Sequence, residues 1–291
     1  MLNTLLAVLL ALPHTPSAVT DSIPKAPDSL RVPILVYHNV QPASDGGRVR
    51  SAELTMRPEV FAAQMQYLKD NRIPVVSLGA LVDALHGKGT LPPRAVVITF
   101  DDGRVNQYVN ALPVLRKHGF TATFFPFTHA MDRNSRYFTW AQLREMQQMG
   151  MTIGSHTSLH VRVDRMKDAK MMDTEVRGSR EALQKHLGGD VAFFSYPFGA
   201  LAAAGDSAVR AAGFRAGRAY TGKSWNSARD VWRLNAVAMS ESMARFRQTV
   251  DPQGAPTARE STAREANASG AAKPGAKARK ATAKQGKGAK R

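Results

Sequence analysis

Short apolar runs alternate with stretches of helical periodicity between about residues 31 and 250. The helical stretches place apolar side chains on one face. They predict helices over residues 58–69, 77–85, 105–118, 140–149 and 165–187. The runs rich in β-branched residues predict strands over residues 32–37, 73–76, 95–100, 121–125, 152–153, 191–195, 214–216 and 234–239.

Repeated alternation of strands and helices predicts a parallel sheet covered by helices. Seven or eight such units in roughly 220 residues favour an α/β fold in which the sheet closes, or nearly closes, into a barrel. A doubly wound open sheet is the alternative. No repeat of fixed period is visible in the sequence.

The two ends of the chain differ from this middle part. The apolar run at residues 5–12, followed by Pro13 and small residues, is typical of a signal peptide covering 1–20 and is too short to span a bilayer. This pattern predicts export to the periplasm or the extracellular space, with an N-terminal arm as the alternative. Residues 251–291 lack aromatic side chains and predict a disordered basic tail.

Charge and cysteine content narrow the possible partners and chemistry. The formal net charge is +17, of which the tail contributes ten basic and three acidic residues. The tail is equally typical of a solubilising extension and of a segment that holds an anionic envelope polymer. The chain has no cysteine, which excludes disulfides, thiolate metal sites and cysteine nucleophiles. A metal site must therefore use His, Asp and Glu.

Two acids and a glycine, Asp101, Asp102 and Gly103, end the predicted strand at residues 95–100. Barrel enzymes place catalytic groups at such strand ends. Two carboxylates so close should not behave alike, because one can bind a metal while the other acts as a general base for the metal's water. Taken alone, Asp-Asp-Gly is more often a turn that caps the next helix through Asp102.

Two histidines four residues apart, His156 and His160, follow the short strand at residues 152–153. This spacing allows both rings to bind one metal ion, on a helical face or across a tight loop. Histidine pairs also occur by chance. Combined with an acid from another strand end, they predict a two-His, one-Asp ligand set with open positions for water and substrate, as catalytic zinc requires.

Two further strand ends carry candidate groups. Pro197 and Gly199 predict a fixed non-helical loop that presents a backbone N–H, that of Phe198, to a developing oxyanion. His38 ends the first predicted strand and would face the same barrel mouth, where an imidazole can protonate a leaving amine. An ordinary turn and a loop histidine with local hydrogen bonds are the simpler interpretations of each feature alone.

Together these segments resemble the polysaccharide deacetylases, the NodB-homology family or carbohydrate esterase family four. Residues 99–103 look like the family's first motif, residues 156–160 like its second and residues 194–199 like its third. The resemblance covers residues 31–243. It implies a deformed (β/α) barrel of about seven strands that hydrolyses N-acetyl groups of glucosamine-containing polymers.

By position in these motifs, the resemblance implies that Asp101 is the general base. It also implies that Asp102, His156 and His160 bind a divalent metal, with zinc the expected ion. The early segment around His38 is similar to the permuted branch that includes poly-β-1,6-N-acetylglucosamine deacetylases, and this similarity assigns the general-acid role to His38.

The chain departs from the family pattern in two places. Ser195 stands where the third motif begins with an arginine that orients the base, and Arg233 is the candidate to replace it. The late Leu-x-His motif is also absent, because no histidine occurs after His186. Either His38 supplies the acid or the acid step is impaired.

The sequence therefore predicts an exported deacetylase with a catalytic domain over residues 31–250 and a polysaccharide as substrate. One alternative keeps the metal and changes the substrate to peptidoglycan, xylan or small amides. Another is a weakly catalytic or non-catalytic protein that binds envelope polysaccharide. Neither a specific nucleic-acid partner nor a membrane span is expected, since basic charge alone provides only non-specific phosphate affinity.

Overall fold

The computed structural model of the protein describes residues 28–42 and 52–253. The predicted signal peptide and all but the first three residues of the predicted tail lie outside these ranges. The strands are β1 Leu30–Arg31, β2 Ile34–Tyr37, β3 Asn39–Val40, β4 Thr55–Met56, β5 Val97–Asp102, β6 Thr123–Pro126, β7 Thr152–Ile153, β8 Phe193–Ser195, β9 Ala216–Arg218, β10 Trp225–Asn226 and β11 Val237–Ala238. The α-helices are α1 Pro58–Asp70, α2 Leu78–Leu85, α3 Leu112–His118, α4 Trp140–Gln148, α5 Ala169–Asp173, α6 Ser179–Leu187, α7 Ala203–Ala211 and α8 Met243–Val250.

A ring of parallel strands forms the centre of the fold. Five strands pair in the order β11-β2-β5-β6-β7, and β8 pairs in parallel with β9. Single parallel bridges between Ser155 and Phe194 and between Arg218 and Leu234 join the two groups. The resulting ring of seven strands, closed by these bridges, confirms the predicted deformed α/β barrel and not the open sheet.

Apolar side chains on alternating strand positions fill two separate clusters. Leu35 and Tyr37 of β2 belong to the larger cluster, together with side chains from α1, α3 and α4. Ile34 and Val36 belong to the smaller one, into which α2 packs. Successive side chains of a strand point to opposite faces, so one strand serves both clusters. β5 is buried at all six of its positions, as expected for a central parallel strand.

The helix boundaries follow local signals in the sequence. Pro58 occupies the first turn of α1, where its missing N–H costs no hydrogen bond. The Ser77 side chain accepts a hydrogen bond from the Ala80 N–H and caps α2. Thr139 and Gln142 form a reciprocal capping box at the start of α4.

Three predicted elements differ from the observed ones. The segment at residues 73–76 makes only a single bridge, between Val75 and Val96, and is not a strand. The predicted helix at 105–118 is interrupted near its start by a π-helical turn, Gln107–Ala111. The predicted helix at 165–187 is divided into α5, a second π-helical turn at Thr174–Gly178, and α6. Among the described residues, no helix combines the length and the apolar character that crossing a bilayer requires.

Short 3-10 turns connect several of these elements. The two that matter for the site are Thr128–Ala130, after β6, and Pro197–Gly199, after β8. Backbone hydrogen bonds from the N–H groups of Thr128 and His129 to the carbonyls of Thr157 and Ser158 join the first turn to the loop that follows β7. This connection places two loops side by side at the carboxyl ends of the barrel strands.

Candidate active site and metal centre

The chemical groups of the site come from the carboxyl ends of four parallel strands. Asp101 and Asp102 end β5, and His38 follows β2 directly. Ser195 ends β8, and the loop after β7 carries two histidines. The carboxyl ends of parallel strands in a barrel lie at the same end, so groups far apart in sequence meet there.

The backbone of Asp102 explains how two neighbouring carboxylates reach one cluster. Asp102 has a φ of 71°, in the left-handed region that non-glycine residues rarely adopt. This conformation ends the alternation of the strand, which would otherwise send the two side chains to opposite faces. Gly103 follows with a φ of 68°, and a Cβ there would lie 2.6 Å from the Pro126 Cβ. Only glycine fits that turn.

The side chains of Asp102, His156 and His160 form a compact cluster. One potential ligand atom from each lies within 4.8 Å of the other two. Asp102 Oδ1 is 3.2 Å from His160 Nε2 and 3.7 Å from His156 Nε2. His156 Nδ1 lies 2.7 Å from the Ser195 carbonyl oxygen. Because that carbonyl can only accept, Nδ1 carries a hydrogen, and the Nε2 lone pair of the neutral ring remains free to bind a cation.

The electrostatics of the cluster suit a divalent cation. Burial lowers the pKa of His156 to about 4, so that the ring is neutral at physiological pH. Burial alone would raise the pKa of Asp102, but the hydrogen bond with His160 and the nearby histidines outweigh it and lower that pKa. A neutral imidazole and an ionised carboxylate are the forms that bind zinc. The three side chains therefore fit the ligand set of a catalytic metal site.

The loop that carries the two histidines is held by a buried acid. Glu175 Oε2 accepts hydrogen bonds from the backbone N–H groups of Ser158 and Leu159, at 3.0 and 2.8 Å. Glu175 is almost fully buried and belongs to the π-helical turn at Thr174–Gly178. His160 has a φ of 58°, a left-handed conformation that the anchored loop maintains.

Asp101 is completely buried beside a buried arginine. Arg218 Nη2 donates to Asp101 Oδ1 and, at 2.6 Å, to the Ser195 hydroxyl. The Ser195 hydroxyl donates to the same carboxylate oxygen at 3.2 Å, and the Tyr220 hydroxyl donates to Asp101 Oδ2 at 3.1 Å. Burial would raise the pKa of Asp101, but the charge of Arg218 and the nearby histidines lower it overall. The carboxylate is therefore ionised and ready to accept a proton.

His38 lies beside Asp101, close to the metal cluster. Its Nε2 is 3.9 Å from Asp101 Oδ2 and contacts the Tyr220 hydroxyl. The rings of His38 and Tyr220 are stacked, with centroids 5.7 Å apart and planes inclined by 13°. Burial lowers the pKa of His38, and the negative charge of Asp101 opposes this effect. An imidazole and a carboxylate thus lie together at the edge of the cluster.

Phe198 borders the cluster beside His160. Its ring lies 4.7 Å from that of His160 and is 55% exposed, which is unusual for so large an apolar side chain. Its backbone is left-handed, with a φ of 62°, in the turn Pro197–Gly199. A Cβ at Gly199 would lie 2.8 Å from the Tyr220 Cβ, so the turn packs directly on Tyr220.

The structure brings together the five side chains that the sequence singled out at the barrel mouth, with Phe198 at their margin. These five are His38, Asp101, Asp102, His156 and His160. Arg233 does not take the place suggested for it, because its Nε contacts Asp206. The guanidinium beside Asp101 belongs to Arg218 instead.

Three contacting residues escaped the sequence analysis: Gln107, Arg218 and Tyr220. Arg218 and Tyr220 follow the predicted strand at 214–216, whose observed end is Arg218. Extending that strand by two residues would have placed Arg218 at a strand end, where the other candidates were found. Gln107 gave no such signal, since it lies inside a predicted helix.

Comparison with known proteins agrees with this geometry. The family model for polysaccharide deacetylases matches residues 88–217. YxkH of Bacillus subtilis is 29% identical over 169 residues, which cover 58% of this chain and 57% of YxkH. The poly-β-1,6-N-acetyl-D-glucosamine N-deacetylase of Staphylococcus epidermidis is 28% identical over 188 residues, covering 57% of this chain and 64% of that protein. The chain thus spans about three fifths of the length of these two relatives.

A solved structure shows the same fold. The deacetylase PplD of Streptococcus pyogenes, solved in complex with acetate, superimposes with a TM-score of 0.70 and is 26% identical. The match covers 77% of this chain and 99% of the PplD chain. The family model and the shared barrel thus identify a polysaccharide deacetylase domain, of the NodB-homology or carbohydrate esterase family four type, in this chain.

Proposed function

We propose that the protein is a metal-dependent hydrolase that removes N-acetyl groups from a polysaccharide containing N-acetylglucosamine. One observation carries this proposal. The buried Asp101 carboxylate and His38 lie beside the Asp102–His156–His160 cluster, at the end of the barrel where strand ends converge. A general base, a general acid and a set of metal ligands are the parts that amide hydrolysis needs.

Asp102, His156 and His160 would hold the metal, and zinc suits two imidazoles and one carboxylate. When bound, a divalent cation lowers the pKa of water and polarises a carbonyl oxygen. The hydrogen bond from His156 Nδ1 to the Ser195 carbonyl orients that ring, and Glu175 holds the loop between the two histidines. Such supporting contacts maintain the geometry of a metal site.

The remaining groups have complementary roles in the reaction. Asp101 takes a proton from water as the water oxygen attacks the acetyl carbon. The backbone N–H of Phe198 donates to the negatively charged oxygen that develops on that carbon. His38 gives a proton to the nitrogen as the carbon–nitrogen bond breaks. The products are acetate and a free amine on the sugar.

Several observations favour catalysis over simple binding of polysaccharide. Arg218 supplies the guanidinium beside Asp101 that the third motif lacks, so the base has a partner that keeps it ionised. His38 lies next to the base although the late histidine motif is absent. The two departures from the family pattern are thus offset by other residues.

The proposed substrate rests on the relatives. Proteins of Escherichia coli and Staphylococcus epidermidis that match this chain are named poly-β-1,6-N-acetyl-D-glucosamine N-deacetylases. We take a polymer of this kind as the first candidate, and the catalytic domain as residues 31–250. Export to the periplasm or the extracellular space would bring the enzyme to such a polymer.

Acetate release from defined substrates tests the proposed function. The zinc-loaded protein should release acetate from β-1,6-linked N-acetylglucosamine oligomers faster than from peptidoglycan fragments or acetylated xylan. A preference for either of the other substrates would change the substrate assignment and leave the hydrolase proposal intact. If the protein bound zinc and the oligomer but released no acetate from any of the three, it would be a polysaccharide-binding protein.

The basic tail is proposed to hold the enzyme on an anionic envelope polymer. Its charge of ten basic against three acidic residues supports non-specific attraction of this kind. Truncation after residue 253 should leave turnover of soluble oligomers unchanged and weaken retention on an anionic polymer at low salt. Equal retention of the full and truncated proteins would leave the tail as a solubilising extension.

A further inference from the structure

The Gln107 side chain links the ends of the two strands that carry the proposed acid and base. Its Nε2 donates to the His38 carbonyl at 2.8 Å and to the Asp101 carbonyl at 2.5 Å. β2 and β5 pair in parallel up to Tyr37 and Phe100, the residues that precede this pair of carbonyls. Gln107 therefore continues the connection where β2 has ended. Both N–H bonds of one amide group are used for this link.

The backbone around Gln107 is shaped to direct this side chain inward. Gln107 is fully buried and begins the π-helical turn Gln107–Ala111. Such turns insert a residue into a helix and occur frequently at functional sites. The preceding residue, Asn106, accepts from the Val40 N–H at 3.2 Å and donates to the side chain of Asn39 at 3.1 Å. Residues 106 and 107 thus hold the segment after β2 at several points.

The Gln107 amide is satisfied on its nitrogen and not on its oxygen. Among the described residues, no group donates to its buried Oε1. A buried acceptor without a partner is unfavourable, but an apolar side chain of similar size would leave the His38 and Asp101 carbonyls without this donor. Gln64 provides a contrast, because both ends of its buried amide have partners, the Tyr37 hydroxyl and the Ser240 carbonyl. Gln107 thus keeps an unpaired acceptor in the interior while its nitrogen joins the two residues that carry the proposed acid and base.

We propose that Gln107 is a positioning residue that keeps His38 at the correct distance from Asp101 to protonate the departing amine. This inference rests on the proposed function. It acts through the backbone of His38, whose Nε2 lies 3.9 Å from Asp101 Oδ2. Without the link, the His38 segment would shift relative to β5, and small misplacements of a reacting group reduce rates strongly.

The chemistry of the leaving group separates this role from a general structural one. An amine leaves an amide only when its nitrogen is protonated, so amide hydrolysis needs His38. Nitrophenolate leaves an ester without protonation, so hydrolysis of p-nitrophenyl acetate needs Asp101 and the metal site but not His38. A defect in positioning His38 therefore slows the amide reaction and spares the ester reaction, whereas damage to Asp101 slows both.

The test compares Gln107→Met with Gln64→Met in the zinc-loaded, full-length protein. Gln107→Met should lower kcat for the N-acetylglucosamine oligomer by roughly 100-fold. Its KM for the oligomer and its kcat for p-nitrophenyl acetate should change less than about twofold. Gln64→Met should lower Tm and leave the ratio of amide to ester turnover as in the wild type. Equal losses on both substrates, or an unchanged amide rate, would overturn the proposal.

A double-mutant cycle provides the second measurement. In a His38→Ala background, Gln107→Met should cause no further loss of amide turnover, because the two residues act as one unit. Independent, additive losses would contradict the inference. Gln107→Asn, which retains the amide on a shorter side chain, replaces Gln107→Met if the latter does not fold. A wild-type protein that hydrolyses the ester but never the amide would refute the proposed function itself.

Discussion

Ser195 and Arg218 occupy paired positions on the neighbouring parallel strands β8 and β9, and both side chains contact Asp101 Oδ1. The shared register places them on the same side of the sheet. The Arg218 guanidinium also contacts two aromatic rings. Its central carbon, Cζ, lies 5.3 Å from the centre of the Phe125 ring and 5.2 Å from the centre of the Tyr220 ring. Arg218 is fully buried, and its positive charge lies against a carboxylate that is also fully buried. The base therefore depends on an arginine from the strand next to the one that carries Ser195.

The first prediction concerns this arginine. Arg218→Met removes the charge that lowers the pKa of Asp101, so that pKa should rise. Since the base must be ionised, the acidic limb of the kcat/KM profile should move to higher pH. Amide and ester turnover should both fall at least tenfold, and the free energy of unfolding should decrease by about 3 kcal/mol. Arg233→Met, a matched control that removes the contact with Asp206, should leave the profile in place.

A strand exchange tests the position of the charge. The double variant Ser195→Arg with Arg218→Ser returns a guanidinium to Asp101 from β8 and should recover part of the turnover lost in Arg218→Ser alone. If a folded, zinc-binding double variant recovered no turnover, Arg218 would do more than place a positive charge beside Asp101.

The second prediction concerns Asp101 itself. Asp101→Asn preserves shape and removes the proton acceptor, so acetate release should fall by roughly 10²- to 10⁴-fold. Zinc content should stay close to that of the wild type, because Asp101 is not among the three clustered ligands. Asp173→Asn, which removes an exposed ion pair with Arg177, is the control and should retain full activity. Full activity in Asp101→Asn would remove Asp101 from the mechanism.

The third prediction concerns the metal. Chelation should abolish acetate release, and added zinc should restore it. Because a ligand that binds only the folded state stabilises it, zinc at 100 times its Kd should raise the free energy of unfolding by about 2.7 kcal/mol. His156→Ala should lose both the activity and the zinc-dependent rise in Tm, as measured by calorimetry with metal analysis. His118→Ala, on α3, should retain both. Zinc stabilisation that persisted in His156→Ala would place the ion elsewhere.

The fourth prediction concerns the stability in acid of the protein from which the metal has been removed with a chelator. The pKa of His156 falls from 6.5 to about 4 on folding because the ring is buried. Between those values the unfolded chain binds a proton that the folded chain does not, so stability decreases as the pH is lowered through this window. The loss from this group should be on the order of 3 kcal/mol and should level off below about pH 4. Denaturant titrations of wild type and His156→Gln should show a shallower decrease in the variant.

The fifth prediction concerns the Tyr220 hydroxyl, which contacts both His38 and Asp101. Tyr220→Phe keeps the ring that stacks on His38 and removes these contacts, so kcat for the amide should fall roughly tenfold with little change in KM. Tyr108→Phe, which removes a hydrogen bond to Glu145 outside the site, is the matched control. Equal rates for wild type and Tyr220→Phe would limit Tyr220 to packing.

Much of the fold and part of the site were predictable from local sequence. The buried strand β5 begins as a continuous apolar run. Ser77 and the Thr139–Gln142 pair mark the starts of α2 and α4 through hydrogen bonds to residues three positions away. Such signals depend only on near neighbours in the chain. The acids, the histidines and Phe198 follow predicted strands. Because the carboxyl ends of all strands in a barrel lie at one end, this position alone predicted that these residues meet there.

The partners of the acid and the base were decided by the tertiary structure. Arg218 lies 117 residues from Asp101, and it reaches the carboxylate because β8 and β9 pair in one particular register. Arg233 was the wrong choice for the same reason, since no local pattern reports register between strands. Gln107 reaches His38 across 69 residues through a π-helical turn that leaves no mark in the hydrophobic pattern. The sequence by itself determined which chemical groups stand at strand ends, and only the folding of distant strands against one another decided which groups support them.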